Sequence, residues 1–213
     1  MSKINNIKVH GNMSRRFAAV ILVGVTLTAT FTGCKAKNAN DISVFSNGTS
    51  INMEEESLKI LKVFEPYFEA CKKYDLENTV ENRESIVFNG NEGARMLFKC
   101  LEYKLNAKEV HIDVERSADG REITLQVDDK FYEPRLLTNQ GRLNSNDITK
   151  AIRYLCLVQE YNGSGANWDK DDIKDFRKKV DDLYLSMCNI LQKDYIVTEK
   201  SINEVNLEKQ NIR

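Results

Sequence analysis

The chain has 213 residues, room for one domain with length left for an anchor and tails, and its composition (41% hydrophobic, 30% charged, only 10 Gly and 2 Pro) excludes wholesale disorder. The net charge of −1 is unevenly spread: residues 1–33 hold Lys3, Lys8, Arg15 and Arg16 and no acid, so the rest sets 27 basic side chains against 32 acidic ones. A mildly acidic body has no footprint for gripping phosphates, which argues against nucleic acid as a partner and against electrostatic adhesion to an anionic bilayer.

Phe17 to Phe31 (FAAVILVGVTLTATF) is an apolar run of fifteen residues without a charge. It falls short of the roughly 20 residues that a spanning helix needs and suits the core of a signal peptide, with Arg15 and Arg16 as its positive flank. Met13 stands just before that flank, so translation from Met1 or from Met13 gives the same signal. Ser14-Arg15-Arg16-Phe17 carries two arginines, but its Phe comes one place too early for twin-arginine export. Phe31-Thr32-Gly33-Cys34 resembles the lipobox of bacterial lipoprotein precursors, with Phe31 where Leu is usual and the small residues Thr32 and Gly33 before the cysteine.

That resemblance covers the first 34 residues and implies a specific chemistry. The Cys34 thiol takes a diacylglycerol, residues 1–33 are cut away, and fatty acyl chains such as palmitate hold the protein to a bacterial cell membrane. The membrane is then the outer face of the cytoplasmic membrane or the outer membrane. Each buried methylene contributes about 0.8 kcal/mol, so one chain holds weakly and two or three hold stably. An uncleaved anchor and ordinary secretion are the alternatives.

The expected organisation is a signal peptide over 1–33, lipidated Cys34 with a flexible tether to 52, one α+β domain over 53–197, and a polar tail over 198–213. Lys35 to Asn52 is polar and rich in Asn and Ser, with no helical period. Asn47-Gly48-Thr49 and Asn162-Gly163-Ser164 match glycosylation sequons, which in a bacterial lipoprotein read as turns.

From Met53 to about Tyr74 the spacing turns helical, with Leu58, Leu61, Phe64, Phe68 and Cys71 on one face. Glu54, Glu55 and Glu56 open it, and Pro66 predicts a kink or two abutting helices. Glu84 to Phe88 reads as a short strand, Asn89-Gly90-Asn91 as a turn, and about Glu92 to Leu105 as a helix. A β-hairpin follows at about 108–128. Val110, Ile112 and Val114 alternate with polar residues, Ser117 to Gly120 turns, and Ile123, Leu125 and Val127 alternate again.

Phe131 to Leu143 reads as a loop with room for a third short strand. A helix capped by Ser145 or Asn146 runs to about Tyr161, and Asn162 to Gly165 ends it. The last helix spans about Asp169 to Lys193, with Ile173, Phe176, Val180, Leu183, Met187 and Leu191 on one stripe. After Val197 a frayed or loosely docked tail is expected. The fold class is α+β: a small antiparallel sheet built on the hairpin and covered by about four helices.

With residues 1–33 gone, His111 is the only histidine, so a His-rich zinc site is excluded. It shares the hairpin's polar face with Glu109, Asp113, Glu115, Glu122 and Asp128. Such a set could hold a charged ligand or a divalent cation, although a solvated strand face looks the same. Cys71, Cys100, Cys156 and Cys188 lack C-x-x-C spacing, which argues against a thiolate metal knuckle, and all lie on or beside apolar helix faces. They read as buried thiols ahead of disulfides. Trp168, the only tryptophan, reads as a residue folded back over the final helix, or as an anchor for a partner. Gly90-Asn91-Glu92-Gly93 is too short for a phosphate loop, and no cofactor motif is present.

These readings favour a non-catalytic binding or interaction module, held at the cell envelope through Cys34 and contacting a protein or small molecule. A structural subunit of an envelope complex comes second, and a carboxylate-dependent hydrolase around His111 third.

Overall fold

A computed structural model of the chain describes residues 7–9, 41–43, 50–52, 54–117, 120–140, 146–161, 163–198 and 200–211. The apolar run Phe17–Phe31, the lipobox-like Cys34, the sequon at 47–49, the hairpin tip at 118–119, Ser145 and Asn162 lie outside the described residues. Among the described residues no helix is long and apolar enough to cross a membrane.

The fold is α+β. Strand β1 (Ile7–Val9) comes first, then β2 (Asp41–Ser43) and β3 (Ser50–Asn52), then helices α1 (Glu55–Lys62), α2 (Glu65–Leu76) and α3 (Val80–Leu105). The hairpin β4 (Val110–Ser117) and β5 (Gly120–Val127) follows, with β6 (Lys130–Tyr132), a 3-10 turn at Pro134–Leu136 and β7 (Leu137–Asn139). Helices α4 (Asn146–Gln159) and α5 (Lys170–Gln192), β8 (Tyr195–Val197) and α6 (Ile202–Asn211) complete it. The main sheet has the order β1-β4-β5-β6, antiparallel throughout; β2 pairs with β3, and β7 with β8.

The hairpin stands as expected. His111 lies opposite Gln126, Ile112 opposite Leu125 and Glu115 opposite Glu122. One face buries Val110, Ile112, Leu125 and Val127 in the same core as the helices, and the other carries the polar residues. Pro66 falls in the first turn of α2, where no hydrogen bond is lost, so the expected kink is two abutting helices. Phe64 is buried at their junction.

The strand expected at Glu84–Phe88 and the turn at Asn89–Asn91 are instead the interior of α3. Thr79 caps this helix by accepting from the Asn82 N–H at 3.2 Å. Ile86, Gly90, Ala94, Leu97 and Leu101 continue one helical stripe through the supposed turn. The two glycines are in that stripe because neighbours press on it. A Cβ on Gly90 would come 2.8 Å from Phe176 Cε1, and one on Gly93 would come 2.7 Å from Phe64 Cδ1. Glycine costs a helix about 1 kcal/mol against alanine. Here two aromatic rings fill the space that it leaves.

Three further expectations change. The tether contains the β2–β3 ribbon, in which Asp41-Ile42-Ser43 and Ser50-Ile51-Asn52 each set one apolar residue between polar ones. Ile7–Val9, inside the segment expected to be removed, pairs along the outer edge of β4, with Lys8 opposite Asp113. The polar tail forms α6, begun by a reciprocal cap in which the Ser201 N–H donates to Glu204 and the Glu204 N–H to Ser201 Oγ. Its docking is light, and Leu207 remains 60% exposed.

Candidate functional site

The anticipated ligand face is assembled only in part. His111, Asp113 and Glu115 project from β4 opposite Gln126, Thr124 and Glu122, so those side chains do share a surface. His111 is 24% exposed, and its Nε2 lies 3.1 Å from Glu109 Oε1. Asp128 is committed elsewhere. It sits in the β5–β6 turn with φ +52, and its Oδ1 accepts from the backbone N–H of Lys108 at 2.9 Å and of Glu109 at 3.1 Å. That carboxylate fixes where β4 begins. Among the described residues no group of three or more His, Cys, Asp or Glu side chains could hold a metal ion.

Trp168 is packed rather than offered. Its ring lies 5.0 Å from Tyr161 and 5.4 Å from Phe176, and its carbonyl accepts from Arg83 Nη1 at 2.7 Å. The loop beside it turns at Gly165, with φ +83, where a Cβ would meet Val87 Cγ2 at 2.6 Å. Asp169 then caps α5, accepting from the N–H groups of Asp171 and Asp172 while Asp172 accepts from the Asp169 N–H.

The four described cysteines are free thiols, with Cys71, Cys100 and Cys188 buried. Burial pushes the Cys71 and Cys188 thiols each up to about 11, and raises Cys100 and Cys156 as well. All four are therefore neutral and poor nucleophiles at physiological pH.

Two arrangements that sequence pattern did not reveal come from residues far apart in the chain. The first joins α2 to α5. The hydroxyl of fully buried Tyr67 donates to Asp181 Oδ1 at 3.0 Å and to the Arg177 carbonyl at 3.1 Å. The Arg177 guanidinium holds Asp75 with two hydrogen bonds of 2.6 and 3.1 Å. Burial raises the Asp181 carboxyl above its ordinary range, and the Arg177 hydrogen bond lowers Asp75. This cluster ties one helix to another and its members satisfy each other.

The second is a cleft of about 510 Å³. One wall is β5 from Arg121 to Thr124. Strand β6 pairs only with Leu125, Gln126 and Val127, so among the described residues no strand covers β5 beyond Leu125 on that side. The reason is local: after Tyr132 the chain folds into a 3-10 turn at Pro134, which has no N–H to continue a ladder. Thr149 and Arg153, one turn apart on α4, also line it, as do Ile202 and Asn206 of α6.

The charges of the cleft are unequally used. Arg121 pairs with Glu160, and Arg135 with Glu133. Arg153 is exposed and has no hydrogen-bond or ion-pair partner among the described residues. No protein-family profile, curated protein or solved structure matches this chain.

Proposed function

We propose that the chain is a bacterial envelope lipoprotein, anchored through acylated Cys34, whose folded body is a non-catalytic binding module. The anchor rests on the apolar run, its basic flank and the lipobox-like Phe31–Cys34. The binding role rests on one observation: a cleft lined by a strand edge and a guanidinium that have no partner among the described residues. Concave sites with a few unsatisfied polar groups on an apolar lining are where ligands bind. Ile123, Pro134 and Ile202 supply the apolar part.

A subunit role in an envelope complex is the second reading. Leu76 is 90% exposed and Phe88 66%, with Val80 exposed between them in sequence. The hydrolase alternative needs a carboxyl of raised pKa beside His111, whereas the carboxyl that burial raises, Asp181, is on α5.

Intact-mass spectrometry of protein extracted from bacterial membranes tests the anchor. A mass for residues 34–213 plus acyl chains is the expected result, and an unlipidated mass for residues 1–213 refutes it. A Cys34→Ser protein should lose processing and leave the membrane fraction.

A further inference from the structure

We infer that the cleft receives an extended peptide as an added strand on β5, with a carboxylate of that peptide held by Arg153. The inference rests on the binding-module reading above and specifies its ligand. It begins with the sheet edge. From Arg121 to Thr124 the strand spans about 10 Å at about 3.3 Å per residue, the length of a short peptide segment. The outward N–H and C=O groups of this stretch have no ladder partner among the described residues. An added strand would satisfy them in the line that β6 leaves at Tyr132.

The rest of the lining favours the same occupant. A groove between a strand edge and a helix admits a single extended chain, which gains main-chain hydrogen bonds on one side and places alternate side chains against the other. Ile123, Pro134 and Ile202 offer apolar contacts to such side chains. Arg121 and Glu122, both charged and both on the open edge, oppose indiscriminate pairing by apolar strands. With Arg121 and Arg135 already paired, Arg153 is the cation left among the described residues of the cleft for an incoming carboxylate, and Thr149 lies one turn before it. A free phosphate or acetate could meet Arg153 but would leave the strand edge unpaired.

The test uses the full chain in detergent. The probes are N-acetylated five-residue peptides of alternating threonine and valine ending in glutamate with a free C-terminus. Amide exchange of Arg121–Thr124 should slow in their presence. Methylating alternate backbone nitrogens of the peptide should weaken binding at least tenfold, since the methyl group removes the ladder donor. Replacing the glutamate by glutamine amide, or making Arg153→Gln, should each weaken it about tenfold, the scale of one charge-assisted hydrogen bond. The two changes together should add little beyond either alone.

Unchanged exchange at millimolar peptide, or equal binding of the methylated peptide, overturns strand addition. If phosphate or acetate perturbs the Arg153 signals while no peptide does, the cleft is a binding site and the peptide assignment fails. If neither binds, the binding-module reading fails with it.

Discussion

Between α2 and α5, Tyr67, Asp181, Arg177 and Asp75 satisfy one another, while in the cleft Arg153 and the edge of β5 have no partner among the described residues. Both places mix charge with apolar surface. They differ in how their polar groups are used, because one set bonds within itself between two packed helices and the other lies where β6 stops. A polar cluster that completes itself serves the fold, and one that does not is available to a ligand.

Crowding the packing of α3 against the start of α2 should have the largest effect. Gly93→Leu forces a side chain into the ring of Phe64, and a loss of about 3 kcal/mol is expected in urea unfolding. A loss within about 0.5 kcal/mol would mean that the helices separate easily and that the two regions are alike. Tyr67→Phe takes the donor away from Asp181 and should cost about 1–2 kcal/mol, measured in the same way.

The two carboxylates of the cluster predict opposite pH behaviour. The Asp181 carboxyl has its folded value raised, so its contribution is present below the unfolded value and is lost as pH rises through the folded one. Asp181→Asn keeps an acceptor for Tyr67 and should be the more stable protein near pH 7, with the advantage gone below about pH 4. Asp75 has its folded value lowered, so its contribution is present above the unfolded value and fades as pH falls. Its side chain is largely exposed, so Asp75→Asn should cost under about 1 kcal/mol at neutral pH. Thermal melts at pH 3.5 and pH 7 would separate the pair.

The smallest effect belongs to the cleft. Arg153→Gln should shift unfolding stability by no more than about 0.5 kcal/mol, since no described group depends on it. A larger loss would place Arg153 among the groups that hold the fold.

What could be read from the sequence follows how local each signal is. The hairpin was legible because strict alternation needs only its own residues, and α5 because its acidic start and apolar stripe agree. The centre of α3 was not. Ile86, Val87 and Phe88 favour a strand, Asn89-Gly90-Asn91 favours a turn, and both preferences yield to Phe176 and Phe64, which approach from distant elements. The carboxylates of β4 were placed on the correct face, but the use of Asp128 as a turn anchor depends on a backbone conformation that residue spacing does not encode. The cleft was hidden for another reason. Its walls come from β5, the turn at Pro134, α4 and α6, and its main property is a partner that β6 fails to supply.

The glycines of α3 also bear on how the chain is made. The ring that fills the space beside Gly90 belongs to α5, which the ribosome adds long after Gly90 has emerged. Until then α3 has α1, α2 and α4 to pack against, and the space beside Gly90 stays unfilled. The centre of α3 is then among the last parts of the bundle to set, although its residues are made early.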